Sequence, residues 1–142
     1  MPDITKIYTF CAAHQYHNSS WDEKANYAVF GDDVKVHGHN YELEITVSGP
    51  VDPSSGFVTN LNDLNDLVNS RIIGILDHSQ IEKDIPWFKG KQPSTENLTI
   101  FIWESLVSAI EDPAYLKRIR IKETPTIYTE YYGPEGEKHD AG

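Results

Sequence analysis

Two histidines one residue apart open an alternating segment, His37 to Val47, read as HGHNYELEITV. Side chains on a strand point to opposite faces in turn. His37, His39, Tyr41, Leu43, Ile45 and Val47 therefore share one face, and Asn40, Glu42, Glu44 and Thr46 share another that is polar and acidic. Neutral imidazole is the commonest protein ligand for zinc, and two imidazoles at this spacing can converge on one ion. Gly38 between them carries no side chain, so backbone or ligand can come close. Burying two neighbouring imidazoles without a shared partner is costly, which favours a metal over plain packing.

A third candidate ligand lies upstream. Ile4 to His14 (ITKIYTFCAAH) reads as a strand with Tyr8, Phe10, Ala12 and His14 on one face. If the two strands pair antiparallel, the end of one lies beside the start of the other, and His14, His37 and His39 meet at one edge. Three histidines with an open fourth position are the donor set of a catalytic zinc ion (Zn2+) rather than a structural one. A single histidine on an apolar face is also commonly structural, so for His14 packing and ligation both stand.

Two further places hold groups suited to proton transfer or recognition. Asp77 and His78 are adjacent, and an aspartate can hold a neighbouring imidazole in one tautomer for general acid–base work. Glu123 follows Ile119 and Ile121 on one strand face, so either it points inward or the face reaches solvent there. An inward carboxylate needs partners, and the paired N–H groups of a guanidine-like heterocycle edge would satisfy it bidentately.

The elements that must position these groups follow from the pattern. Gln15 to Lys35 is polar, rich in turn formers, and expected to be a long loop entering the His-rich strand. Val51 to Gly56 is a turn cluster, with a short strand expected at Phe57 to Thr59. Asn60 caps a helix carrying Leu61, Leu64, Leu67, Val68, Ile72 and Ile75 at helical spacing to about Leu76. A second helix starts at Ser94 or Thr95 and runs to about Ile110, with Leu98, Ile102, Leu106 and Ile110 buried. Leu116 to Glu123 is a strand, Pro125 interrupts it, and Ile127 to Tyr132 continues extended. Gly133 to Gly142 is a polar tail expected to fray, with His139 as a bystander. Strand pairs flanking two helices give an α+β fold with helices on one face, whose bare face and edges call for oligomerisation.

Composition sets bounds. A chain of 142 residues fits one domain, residues 1–142. No apolar run approaches a membrane span, the start MPDITK lacks a signal-peptide pattern, and Cys11 is the single cysteine. A cytoplasmic protein with no membrane partner is expected. With 22 acidic against 12 basic residues, the net charge of −10 disfavours a nucleic-acid partner. A polyanionic substrate would need a local basic pocket, for which Lys35, Lys83, Lys89, Lys91, Lys117, Arg118, Arg120 and Lys122 are available.

FCAAH ending in His14, HGHNY at 37–41, DPSSGFVTNLNDL at 52–64, LDH at 76–78, PSTEN at 93–97 and KET at 122–124 follow one another in the order of a known family. On these motifs the chain resembles the 6-pyruvoyl-tetrahydropterin synthase family, which includes 6-carboxy-tetrahydropterin synthases, from about Ile4 to Tyr132. The resemblance implies a tunnelling fold: an antiparallel four-stranded sheet with two helices on one face, the sheets joining into an oligomeric barrel. It implies trimers stacked in pairs as hexamers, with active sites between subunits. It implies zinc on His14, His37 and His39, a catalytic Asp77–His78 pair, Glu123 as pterin anchor, and Thr95 and Glu96 in a substrate-contact motif.

One position departs from the family. Members usually carry a catalytic cysteine a few residues before HGH, where this chain reads FGDDVKVHGH and places Asp33. Cys11 lies on the opposite strand face from His14 and does not replace it. Thiols and carboxylates have reference pKa values of about 8.5 and 3.9, so an unperturbed carboxylate is the weaker base. Some members carry Glu near this position and resemble enzymes that cleave the dihydroneopterin side chain to a 6-hydroxymethyl-dihydropterin. The resemblance thus implies a zinc-dependent lyase acting on 7,8-dihydroneopterin triphosphate or a related reduced pterin. The alternatives are a 6-carboxy-tetrahydropterin synthase of deazapurine biosynthesis and an inactive zinc- and pterin-binding homologue.

Overall fold

In the computed structural model, which describes residues 1–136, strands β1 (Asp3–His14) and β2 (His37–Ser48) pair antiparallel along their whole lengths. The ladder sets Phe10 opposite Tyr41, Ala12 opposite His39 and His14 opposite His37. Strand β4 (Tyr115–Thr124) adds to the other edge of β2, and β5 (Ile127–Tyr131) returns beside β4 after the Pro125–Thr126 turn. Among the described residues the sheet has five strands rather than the expected four, with β3 (Ser79–Gln80) at its edge in the order β3-β1-β2-β4-β5. This extra strand is two residues long and runs parallel to Ala12–Ala13 of β1. Nothing in so short a segment marks it as a strand. Its pairing comes from His78, whose φ of 64° turns the chain so that its N–H bonds the Cys11 carbonyl at 2.6 Å.

The helical layer covers the face bearing Phe10, Tyr41, Leu43, Ile45, Ile119 and Ile121. Helix α2 (Leu61–Val68) begins at Asn60, whose side chain accepts from the Asn62 and Asp63 amides as expected of an N-cap. It passes through a π turn at Asn69–Ile73 into α3 (Gly74–Leu76). The wider turn shifts the helical phase, so Ile72 and Leu76 are buried while Ile75 faces out. A short α4 (Ile81–Asp84) precedes α5 (Thr95–Leu106), which buries Leu98, Ile102 and Leu106 in the same core. Each such aliphatic side chain, fully buried, contributes about 1.5–3 kcal/mol.

Three expectations are corrected. The Gln15–Lys35 stretch contains α1 (Glu23–Phe30), capped by Asp22 accepting from the Ala25 amide and ended at Gly31 with φ 59°. The strand expected at Phe57–Thr59 does not form. There the backbone closes on itself, Gly56 N–H to the Asp52 carbonyl and Asp52 N–H to the Phe57 carbonyl, with Ser54 donating twice to the Asp52 carboxylate. The tail does not fray from its first residue: Gly133 is buried against Trp103. His139 and the rest of 137–142 lie outside the described residues.

The second face of the sheet is polar but not the uncompensated acid that β2 alone reads as. Glu44 lies opposite Arg120 and receives Arg118 at 3.0 Å and Arg120 at 3.6 Å. Arg118 also lies 3.7 Å from Glu130, and Arg120 stacks 3.9 Å over the Tyr128 ring. No helix among the described residues is long and apolar enough to cross a membrane.

Gly133 gives a test of this packing. It holds φ 89°, and an added Cβ would lie 2.5 Å from Trp103 Cζ2. Strain of this kind costs about 1–3 kcal/mol before any repacking, so Gly133→Ala should lower stability by at least that much in urea unfolding. An unchanged midpoint would mean that the turn is not held against α5.

Candidate metal centre and active site

His14 is fully buried at the end of β1, and His37 and His39 are partly buried at the start of β2. One ring nitrogen from each falls within 4.8 Å of the others. The ring centroids lie 4.4 Å apart for His14–His37 and 5.1 Å for the other two pairs. His14 Nδ1 lies 2.8 Å from the Pro93 carbonyl, and His37 Nδ1 lies 2.8 Å from the Lys35 carbonyl. A carbonyl only accepts, so each Nδ1 carries the proton and each Nε2 presents a lone pair. His14 Nε2 and His39 Nε2 are buried without a hydrogen-bond partner. Burial, ahead of its neighbours, holds His14 below the usual histidine pKa, which favours the neutral, ligating form. An orphaned lone pair on a buried neutral imidazole is costly unless something electrophilic meets it. This donor set fits zinc.

Glu123 points inward. Its side chain is 15% exposed, and Oε1 lies 3.5 Å from His39 Nε2 and 3.7 Å from His14 Nε2. It lies on the face that Ile119 and Ile121 define, at a break in the β4–β5 register: Lys122 faces Tyr128 and Thr124 faces Ile127, so Glu123 is the extra residue of a bulge. Bulges commonly re-aim side chains beside active sites. Thr95, the first residue of α5, is buried with Oγ1 unpartnered, two residues after the carbonyl that orients His14. Glu96 stands exposed in the same first turn.

Asp33 lies on the turn Gly31–Val34 with Oδ1 3.6 Å from His37 Nε2. That turn is clamped to the end of β1: the Tyr16 amide donates to the Asp33 carbonyl at 3.0 Å and Gln15 Nε2 to the Val34 carbonyl at 2.8 Å. Asp32 turns the other way, toward the Tyr27 hydroxyl at 3.4 Å. Of the two aspartates before HGH, Asp33 is the one facing the histidines.

Tyr16 was missed in the sequence. The Tyr16 ring lies 5.0 Å from His14 and stacks at 5.3 Å on Phe30, which stacks at 5.8 Å on Trp21. Burial pushes the Tyr16 phenol well above its usual pKa, and Glu123, Glu96 and Asp33 add to the shift. Those three carboxylates therefore bear on one space. The signal was weak: Tyr16 sits in a polar stretch without periodicity.

The Asp77–His78 pair is built differently. His78 Nδ1 lies 2.9 Å from Asp77 Oδ2, and Asp77 Oδ1 accepts from the Cys11 amide at 2.9 Å. That amide, ahead of His78, holds the Asp77 carboxyl below its usual pKa. The His78 side chain is 82% exposed at the outer edge of β1. Within the described residues no hydrogen bond or ion pair joins this pair to the three histidines, Asp33 or Glu123. The chain thus gathers His14, His37, His39, Asp33, Glu123, Thr95 and Glu96 at one end of the sheet and leaves Asp77–His78 on its rim.

A family profile described as 6-pyruvoyl tetrahydropterin synthase matches residues 3–134. The chain belongs to that family. It is 36% identical over 133 residues to the 6-pyruvoyl tetrahydrobiopterin synthase of Drosophila melanogaster, across 92% of this chain and 79% of that protein. The Poecilia reticulata protein of the same name is 38% identical over 133 residues, across 92% and 89%. The solved structure of Caenorhabditis elegans 6-pyruvoyl tetrahydropterin synthase superposes with a TM-score of 0.85 at 33% identity, covering 94% of this chain and 97% of that one. This member of the 6-pyruvoyl tetrahydropterin synthase family is a lyase.

The metal centre yields a direct test. His37→Ala and His39→Ala should each weaken zinc binding by more than the roughly 10–100-fold typical of losing an outer-shell partner. His17→Ala, whose backbone rather than ring is tied to Gln92, should keep full occupancy. Elemental analysis after dialysis against a chelator reads both, and full zinc in the His37 and His39 variants would remove the site.

Proposed function

We propose that this family member is a zinc-dependent lyase that cuts the side chain of 7,8-dihydroneopterin triphosphate or a related reduced pterin, in a single domain and in the cytoplasm. The observation that supports it is the sharing of one space by two donor sets: three imidazoles with one ring nitrogen each within 4.8 Å of the others, and an inward Glu123 3.5 Å from His39. One set suits a metal and the other a heterocycle. When bound at His14, His37 and His39, zinc supplies Lewis acidity that lowers the pKa of substrate hydroxyls.

The chain's own groups take the remaining roles. Glu123 accepts two N–H bonds from the amino-pyrimidine edge of the pterin, and the buried Thr95 hydroxyl gains in the bound substrate the partner it lacks. Asp33 stands where the family's thiol belongs and takes the proton whose loss allows the side-chain bond to break. Asp77 fixes the tautomer of His78 through Nδ1, leaving His78 Nε2 to carry a proton. An exposed pair does this work when a second copy lies against the rim. The outer edge of β1 is paired only at Ala12–Ala13, and β5 has no outer neighbour among the described residues. Edges of this kind are joined or covered in stable proteins. A ring of such sheets, stacked as a hexamer, would bring Asp77–His78 of one copy to the metal centre of the next.

Two variants and a product assay test the reading. Glu123→Gln should weaken binding of a non-reactive pterin by about 1.5–3 kcal/mol per lost charge-assisted bond, with zinc content unchanged. Fluorescence titration would show equal affinity if Glu123 has no such role. Asp33→Asn should abolish formation of a 6-hydroxymethyl-dihydropterin without releasing zinc, whereas Asp33→Cys should raise rearrangement to a pyruvoyl product. Robust rearrangement by the parent protein, or unchanged cleavage by the Asn variant, would move the base away from Asp33.

A further inference from the structure

We propose that Gln92 is a positioning residue that ties zinc binding at His14 to pterin binding at the first turn of α5, so that each ligand raises the affinity for the other. The proposal rests on the pterin-lyase reading and adds a coupling between its two donor sets. Gln92 reaches across to the chain just past β1. Its Nε2 donates to the His17 carbonyl at 2.8 Å, and its Oε1 accepts from the His17 amide at 3.2 Å. One residue on, the buried Pro93 presents the carbonyl that takes the His14 Nδ1 proton at 2.8 Å. These contacts close a ring. It runs from His14 along the chain to His17, across two hydrogen bonds to Gln92, through one peptide bond to Pro93, and back to the His14 imidazole.

The same residue is fastened to the groups assigned to substrate. The Gln92 carbonyl accepts from Asn97 Nδ2 at 2.9 Å, and the Asn97 amide donates to Ser94 Oγ at 3.1 Å. Thr95 and Glu96 sit inside the loop that these bonds close, so the turn moves with Gln92. Pro93 has a fixed φ, which makes the link between clasp and turn a stiff one. With its Nε2 engaged by a metal, the His14 imidazole is a stronger donor at Nδ1 and holds the Pro93 carbonyl more firmly. That settles the turn carrying the buried, unpartnered Thr95 hydroxyl. Linkage makes the effect reciprocal: a pterin held at Thr95 tightens the metal at His14 by the same factor. Gln92 and His17 lie just outside the motifs that carry the family resemblance, since FCAAH ends at His14 and PSTEN begins at Pro93. The clasp joins two motifs without belonging to either. Both of its bonds are at the surface, so opening it leaves the core untouched.

The probe is pterin itself, whose C6 bears no side chain and so offers no hydroxyl to the metal. Its dissociation constant is measured by fluorescence titration of the full-length protein, zinc-loaded and after removal of zinc by a chelator. In the parent, zinc should tighten pterin at least about fivefold, the low end of coupling between two sites. Gln92→Ala should bring that ratio below about twofold. Gln92→Glu, which keeps an acceptor for the His17 amide and loses the donor to its carbonyl, should fall between. His17→Ala keeps the backbone groups that Gln92 uses and should keep the parent ratio. A clasp that merely stapled a surface loop would lower the urea midpoint and leave the ratio alone. A parent ratio near one, or a ratio that Gln92→Ala does not change, overturns this proposal while leaving the lyase reading intact. Failure of the zinc-loaded parent to bind pterin overturns the lyase reading and the proposal together.

Discussion

His14 meets His37 and His39 because the β1–β2 ladder holds register from Asp3 opposite Ser48 to His14 opposite His37. Strand side chains have a period of two, so a slip of one residue would carry the imidazoles of one strand to the other face. The same slip would expose Tyr41, Leu43, Ile45 and Val47, which are fully or almost fully buried. The hydrophobic core and the three-histidine cluster are therefore held by one constraint. Burial of the aliphatic face keeps the strands in step, and the histidines at the strand ends inherit the alignment. Outer bonds then refine it, with the Pro93 and Lys35 carbonyls holding Nδ1 of His14 and His37 and leaving Nε2 of each for the cluster.

Charge is divided between the two faces of the sheet. The arginines of β4 are taken up by Glu44 and Glu130 on the face away from the helices. Among the described residues, the carboxylates near the histidines form no ion pair with an arginine or lysine, and they help raise the Tyr16 phenol above its usual pKa after burial. Strand β1 separates two kinds of chemistry. Its end contributes His14 to the buried centre, while its Cys11 backbone fastens the exposed Asp77–His78 pair on the outer edge. A histidine held at φ 64° stores strain of the sort found at working sites.

Much of this was legible in the sequence because it depends on period and spacing. Alternation places the three histidines and Glu123 on one face, and helical spacing with an Asn60 cap gives the helix that begins at Leu61. What escaped depends on tertiary context. Strand β3 is two residues long and exists only because His78 turns the chain along β1. Helix α1 lies in a polar stretch and buries only Asn26, so no apolar stripe announces it, although Asp22 and Gly31 stand at its ends as caps. The segment Phe57–Thr59 has strand-like residues, but Asp52 satisfies the local backbone first. Tyr16 owes its place to bonds between the β1 end and the Asp33 turn, which no pattern records.

The bulge at Glu123 separates two functions that a regular strand would lock together. Residues before it follow the β2 ladder, with Lys122 opposite Glu42, whereas residues after it follow the hairpin to β5. The Glu123 carboxylate thus hangs at a joint between two registers. Shortening or lengthening the Pro125–Thr126 turn would swing that carboxylate relative to the imidazoles without disturbing the core strands that carry them. In evolutionary terms the hairpin is an adjusting screw: it can re-aim Glu123 while His14, His37 and His39 stay where the β1–β2 ladder holds them.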